Sequence, residues 1–333
     1  MKTYIIAEIG PNHNGNLNIA ISMVEALAKV GVDAVKFQLT IPENIYSKDS
    51  FKPSYQKEND KTVSPLEMSK KNQLSFSDHL KLAEVCKYNK VDYLCTGFDM
   101  ECLKFLDDNI EMPYFKIPSG EILSIDLLEY IGKRNKKVLL STGMATYEEI
   151  ETAINFIGKK DRITVFHCVS NYPAPPSEVN LKVMLEIKAR FGVSVGFSDH
   201  TIGNDAAIAA VALGATVIEK HVTFDKNAEG PDHKASATIP EFASLVCSIR
   251  NVNLILGSSE KIFSDKELEI KKAARKSIVT TKALKAGDKI NNEDICYKRP
   301  GFGFEPRKSN QVIGMILAKD IDADRVILKE HLL

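Results

Sequence analysis

No sign of charge dominates this chain. Lys+Arg and Asp+Glu both number 44 over 333 residues, a formal net charge of zero. That absence excludes a general binder of nucleic acid or another polyanion, while a local basic pocket stays open. Paired cysteines are missing as well. The six present, Cys86, Cys95, Cys102, Cys168, Cys247 and Cys296, form no CxxC and follow no regular spacing, and several sit inside apolar runs. A reduced, cytoplasmic protein is expected. The apolar stretch of "MKTYIIAEIG" is too short for a signal peptide and reads as a first strand. No run approaches the length of a membrane span, so no membrane partner is expected. There is no GxxxxGK[ST] and no strand-linked GxGxxG, and the glycines of "GFGFEP" follow "KRP" rather than a strand-to-helix turn. A nucleotide loop is thereby excluded.

What is present is periodic. Short apolar runs read as strands at "TYIIAEIG", "DAVKFQ", "DYLCTGF", "YFKIPS", "KVLLST", "ITVFHCVS", "SVGFSDH" and "TVIEKHV". Amphipathic segments such as "LNIAISMVEALAKVG", "SDHLKLAEVCKYN", "TYEEIETAINFIGK" and "DAAIAAVALG" lie between them. Eight βα units over about 250 residues predict a TIM (β/α)8 barrel, with a doubly wound open sheet as the competitor. Residues 1–257 form that barrel in this reading, 258–273 a charged connecting helix, and 274–333 a small domain of short β-like pieces. A domain that small has a thin core, so docking onto another surface is expected. Between Gln38 and Ser77 no strand is visible, and the stretch carries prolines and many charges. A connection of that length is functional or partly disordered.

The strands end in polar residues: Glu8, Asn12 and His13; Lys36 and Gln38; Thr96; Lys116, Ser119 and Glu121; Ser141; His167, Ser170 and Tyr172; Ser198, Asp199 and His200; Glu219, Lys220 and His221. Burying polar groups is costly unless they are paired, so this distribution predicts a polar pocket at one barrel mouth. "GFSDH" and "VIEKH" are consecutive runs that each finish on a histidine. Side by side, His200 and His221 can bind one divalent metal and leave coordination positions open; otherwise each is a satisfied core histidine. An inward lysine at Lys36 or Lys116 needs an anionic partner or a depressed pKa. A ligand phosphate or carboxylate serves, as does a Schiff base to a carbonyl substrate; the bland alternative is a salt bridge to Glu8 or Glu121.

Read together and in order, "AEIGPNHNG", "AVKFQ", "FKIPSGE", "STGMA", "HCVSNYPAP", "GFSDHTIG", "VIEKHVTF", "EGPDHKAS" and "KRPGFG" resemble the sialic acid synthase family, which includes legionaminic acid synthases. The resemblance covers nearly the whole chain. It implies a TIM barrel followed by an antifreeze-like (SAF) domain, and a homodimer whose small domains are swapped. The implied reaction joins phosphoenolpyruvate to an N-acylated mannosamine-type sugar, giving a nine-carbon sialic acid and phosphate with C–O cleavage. By motif, His200 and His221 resemble the ligands of a catalytic metal, usually manganese, with magnesium or cobalt as alternatives. Lys36, Thr96, Lys116, Ser119, Ser141 and Ser198 resemble the phosphoenolpyruvate site; Gln38, Glu121, Tyr172 and Asp232 resemble sugar contacts. Arg299 resembles an arginine that reaches the N-acyl group across the dimer. Glu8 resembles the carboxylate near the reacting hydroxyl, and either Glu8 or Glu219 steers the water or proton. Some family members carry Asn where Ser170 stands; strand alternation puts Ser170 on the side of Tyr172, leaving Asn171 in doubt. The sugar expected first is N-acetylmannosamine, and second the 2,4-diacetamido sugar that leads to legionaminic acid. A Schiff-base aldolase and a non-catalytic sugar-binding protein are the rival functions.

Overall fold

All eight apolar runs become parallel strands: β1 (Tyr4–Glu8), β2 (Ala34–Leu39), β3 (Asp92–Gly97), β4 (Tyr114–Ile117), β5 (Lys137–Ser141), β6 (Ile163–Cys168), β7 (Ser194–Asp199) and β8 (Val217–Thr223). They are near-continuously apolar because one face fills the barrel and the other lies under helices. The computed structural model describes residues 2–333. The chain divides into two units, Met1–Gly257 and Ser258–Leu333. In the first, hydrogen bonds link the strands in the order β3-β2-β1-β8-β7-β6-β5-β4. The last strand therefore pairs with the first, and the two ends of the order, β3 and β4, lie in contact to bring the sheet round into a barrel. The register sets Glu8 beside Lys36 and His221, Gln38 beside Thr96, and Ser198 beside Glu219. Laterally paired residues share a face, so one row of polar side chains runs round the mouth. Beneath it the interior is packed. A Cβ on Gly196 would lie 2.7 Å from the Phe166 ring, so the glycine lets that ring fill the barrel below Lys116.

The helices obey local chemistry. Asn16 caps Leu17–Val30 and Gly31 ends it in the left-handed region, at φ 87°. Ser75, Thr146 and Thr238 form capping boxes for Phe76–Tyr88, Tyr147–Ile157 and Ile239–Leu256. The last of these has the length and apolarity of a membrane span by composition. It is the barrel's final helix: Phe242, Leu245, Val246 and Ile249 are buried along one face, and Arg250 donates to the Thr3 carbonyl and to Asp33. The segment after β2, where no strand was legible, holds three short helices, Pro42–Ile45, Ser54–Asn59 and Pro65–Asn72.

In the second unit the helix is shorter than its charge pattern suggests. It spans Asp265–Ala274 because Ser264 caps it, leaving the residues from Ser258 to Phe263 outside. Strands β9 (Ser277–Thr280) and β10 (Ile295–Lys298) pair antiparallel, and the other β-like pieces meet only through single bridges such as Leu284–Ile321 and Lys289–Ile316. Turns at Gly287 and Gly314, both at φ 91°, interrupt them. The core here is eight buried residues around Ile278, Ile290 and Ile327.

His79 lies away from the mouth, on helix Phe76–Tyr88, fully buried with Nδ1 2.6 Å from the Tyr93 hydroxyl. Burial pulls His79 and His13 down to about 4. An unfolded histidine titrates near 6.5, so the unfolded state binds more protons below that value. Stability therefore falls as pH drops from about 6.5 to about 4, by on the order of 3 kcal/mol per ring. Urea unfolding across this range measures the fall, and His79→Gln is expected to make it shallower.

Candidate active site

Four charged side chains meet inside the mouth with almost no exposure. Lys36 Nζ lies 2.8 Å from Glu8 Oε2 and 3.7 Å from Glu219 Oε2. Lys116 Nζ donates to both oxygens of Glu219, at 2.7 and 2.8 Å. Both lysines thus have glutamate partners, but Glu121 is not one of them; it accepts from Ser124. Burial raises the Glu8 carboxyl above the usual range, only partly offset by Lys36 and reinforced by the Glu219 charge. Burial acts the same way on Glu219, yet Lys116 and Lys36 outweigh it and pull that group down to about 2. Burial lowers Lys116 despite its Glu219 partner, whereas for Lys36 the two glutamates overcome burial and raise it. Glu219 is the ionised anchor of the lysines, and Glu8 is the carboxyl suited to hold a proton. Gln38 Nε2 fixes Glu8 Oε1 at 2.7 Å, and Thr96 Oγ1 lies 3.4 Å from Lys36 Nζ.

Beside this group the rings of His200 and His221 lie 5.6 Å apart between centroids, with Tyr172 packed on His200 at 4.1 Å and edge-on to His221 at 5.7 Å. Burial brings His200 down to about 4, and burial and the neighbouring imidazole depress His221 well below its ordinary range. Both rings are neutral at physiological pH. His200 Nδ1 lies 2.7 Å from the Val169 carbonyl, which can only accept, so Nδ1 carries the proton and the Nε2 lone pair is free. His221 Nδ1 is buried with no hydrogen-bond partner, its nearest acid being Asp232 at 3.5 Å. Neutral imidazoles, one held in its tautomer by a carbonyl and one with an orphaned nitrogen, fit a divalent cation. Among the described residues no third metal-ligating side chain joins them as a cluster, which leaves positions for a substrate oxygen or water.

Several hydroxyls gather at the strand ends of the same barrel, and Ser198 reaches the lysines' partner Glu219. Ser119 Oγ accepts from the Gly143 amide at 2.9 Å. A Cβ on Gly143 would sit 2.1 Å from Ser170 Oγ, so only glycine lets Ser119 and Ser170 converge there. Ser198 Oγ donates to Glu219 at 3.3 Å and Ser141 is buried at the end of β5. Asn171 turns outward to Glu178 at 3.4 Å, which leaves Ser170 as the side chain facing Ser119. His167 is satisfied by the Val179 carbonyl at 2.6 Å, His13 accepts from the Gly15 amide at 3.1 Å, and His233 bonds Thr223 at 2.7 Å, steadying the loop that carries Asp232.

A cavity of about 270 Å³ opens beside His221, lined by Gln38, Tyr172, His221 and Asp232 together with residues that sequence reasoning missed: Tyr46, Tyr55, Gln56, Met68, Ser69 and Asn72. These come from the segment after β2, where only length pointed to a role. Glu121 is not in this cavity; it lines a neighbouring cleft of about 660 Å³, next to Ser124, because the turn after β4 directs it sideways. Burial, then the Glu8 charge, raises Asp232 to about 7. Arg299 belongs to the second unit, where it is exposed.

On the opposite face of β7 and β8, Lys220 Nζ donates to Asp199 Oδ2 and to the Thr201 carbonyl, both at 2.7 Å, while Asp199 Oδ1 accepts from the Thr201 amide and hydroxyl. All three residues are buried. Asp199 and Thr201 flank His200, and Lys220 adjoins His221, so one ammonium ties down the backbone at both imidazoles.

Residues 23–261 match the NeuB family and residues 275–333 the SAF domain. The chain is similar to an N,N'-diacetyllegionaminic acid synthase of Campylobacter jejuni, 42% identical and covering 98% of this chain and 99% of that protein. It is also similar to one of Legionella pneumophila, 39% identical over 100% and 95% respectively. Among solved structures, an N-acetylneuraminic acid (sialic acid) synthetase of Leptospira borgpetersenii in complex with citrate superposes with a TM-score of 0.73 at 32% identity, covering 81% of this chain and 90% of that one.

Proposed function

We propose that this chain, which belongs to the NeuB family and carries a SAF domain after its barrel, condenses phosphoenolpyruvate with an uncharged N-acyl sugar and one water to a nine-carbon sugar acid and phosphate. The observation that carries this reading is the juxtaposition in one mouth of two buried ammonium groups and two neutral imidazoles. Lys36 and Lys116 hold the phosphate and carboxylate of phosphoenolpyruvate, exchanging their glutamate partners in part for the ligand's anions. The Ser119 and Ser170 hydroxyls and Ser141 complete the contacts to its oxygens. His200 and His221 hold a divalent cation, manganese by resemblance, which supplies Lewis-acid polarisation of the sugar aldehyde. Glu8, whose carboxyl burial raises above the usual range and Gln38 aims, moves the proton at the reacting oxygen, while Glu219 stays ionised and spaces the lysines. Holding both reactants aligned raises the effective concentration of a weak carbon nucleophile.

The cavity narrows the acceptor. The lining that one chain supplies contains no lysine or arginine, and its one carboxylate is Asp232, so within that chain a sugar phosphate meets no counter-charge. Met68, Phe98 and Tyr46 add apolar surface beside the amides of Gln56 and Asn72, a combination suited to acetamido groups. We read the acceptor as the 2,4-diacetamido sugar that leads to legionaminic acid; the names of the two full-length relatives favour it over N-acetylmannosamine, the first expectation from sequence. The active assembly in this reading is the domain-swapped dimer, with Arg299 reaching the partner's acceptor.

Phosphate release with phosphoenolpyruvate and manganese tests the proposal. Release is expected with the 2,4-diacetamido sugar, more slowly with N-acetylmannosamine, and roughly 100-fold or more slower with N-acetylmannosamine 6-phosphate. No release with any sugar, or release only with the phosphorylated one, refutes it. Borohydride in the reaction is expected to leave Lys36 and Lys116 unlabelled; labelling would establish the Schiff-base aldolase instead.

A further inference from the structure

Part of the segment between β2 and helix Phe76–Tyr88 is built without buried apolar side chains. From Tyr46 to Ser64 the buried side chains are Lys52 and Asp60 alone. The large apolar residues of the stretch point outward, with Phe51 79% and Val63 90% exposed. In place of a core there is one ammonium. Lys52 Nζ donates to the Asp60 carbonyl at 2.8 Å, to Asp60 Oδ1 at 2.9 Å, to the Thr62 carbonyl at 3.1 Å and to Thr62 Oγ1 at 3.3 Å. Asp60 Oδ1 also accepts from the Thr62 amide at 3.0 Å. A buried ammonium is costly unless its donors are all used, and here they are.

This staple is joined to the barrel loops. The Gly230 amide donates to the Asn59 carbonyl at 3.2 Å, Asn59 Nδ2 donates to the Pro231 carbonyl at 3.3 Å, and Lys71 pairs with Glu229 at 3.0 Å. A Cβ on Gly15 would lie 2.5 Å from the Lys71 carbonyl, so the loop after β1 presses directly on the same segment. What the segment delivers is the far side of the acceptor cavity: seven of the fifteen lining residues come from it. Tyr55, three positions from Lys52, stacks on Tyr172 at 5.3 Å.

We propose that this segment is a fixed specificity wall for the acceptor sugar and that Lys52, which touches no cavity surface itself, is the positioning residue that holds it. The proposal rests on the reaction given above. The aldehyde end of the sugar lies at His221 and Gln38, so the wall reads the substituents farther along the ring. Phosphoenolpyruvate sits on Lys36, Lys116 and the serines, none of which the segment contributes.

The test is a KM comparison combined with hydrogen exchange on the full chain. Lys52→Met is expected to raise the acceptor KM roughly tenfold or more, leaving the phosphoenolpyruvate KM and kcat within about threefold. The amides of residues 52–62 should exchange roughly tenfold faster, with those of the barrel strands unchanged. Asp60→Asn leaves the Lys52 ammonium buried without its counter-charge and is expected to raise the acceptor KM and the exchange of residues 52–62 in the same direction as Lys52→Met. Equal rises in both KM values, or unchanged exchange in the segment, overturn the proposal. Absence of phosphate release by the unsubstituted chain with every sugar would instead refute the reaction, and the exchange measurement would still decide whether Lys52 holds the wall.

Discussion

Phosphate release is expected to fall by roughly a thousandfold or more in His200→Ala and His221→Ala, and stoichiometric manganese binding to disappear in both. The expectation follows from what each ring does in the fold. His200 has its Nδ1 proton committed to the Val169 carbonyl and its other nitrogen free. His221 has a buried nitrogen with no partner at all, a state that costs on the order of 1–3 kcal/mol unless something else binds there. Two neutral imidazoles 5.6 Å apart would satisfy open nitrogens together if they shared one cation. His79→Ala serves as the contrast: it lies on a barrel helix, bonded to Tyr93, and its loss should leave metal stoichiometry at the native value. Metal content and turnover should move together across the three variants. If chelation leaves turnover unchanged, or either mouth histidine can be removed without loss of the metal, the assignment of a metal site falls.

Lys220→Met is expected to cost about 3–5 kcal/mol of folding stability, lowering Tm by roughly 10 °C, because it strands Asp199 in the barrel wall. Asp199 has no exposed surface, and without the ammonium its charge would be met only by the amide and hydroxyl of Thr201. The double variant Asp199→Asn/Lys220→Met removes both charges and is expected to recover most of the loss, since a neutral pair of similar volume avoids the uncompensated charge. Urea unfolding of the variants gives the numbers. An unchanged midpoint for Lys220→Met would show that water reaches Asp199 and that the ion pair does not hold the strands.

The eight strands were legible because a parallel barrel buries both faces, so each strand is a short apolar run ending where the polar mouth begins. The residues at those ends were legible for the same reason: Lys36, Lys116, Glu219 and His221 are anomalies in apolar surroundings. Partnership was harder. Glu121 sits five residues from Lys116 and was, with Glu8, the bland alternative for a lysine counter-ion, but the turn after β4 carries it to the adjoining cleft, and Glu219, a hundred residues away, pairs with Lys116. The small domain read as a series of strands, yet only β9 and β10 pair continuously, since glycine turns break up the rest.

From the sequence alone came the barrel, the ring of polar strand ends, the histidine pair and the class of reaction they resemble. The first three depend on local periodicity or on residue type at a strand end, which one chain states directly; the class of reaction came from the resemblance of the motifs to a family. The tertiary structure alone decided that burial and the neighbouring lysines shift the Glu8 and Glu219 carboxyls in opposite directions, which serines converge, and that a segment without strands walls the cavity beside His221. Those properties arise from desolvation and from contacts between residues far apart in the chain, such as Lys116 with Glu219 and Asn59 with Pro231. No pattern along a single chain encodes the distance between two such side chains, and distance is what sets their charge states.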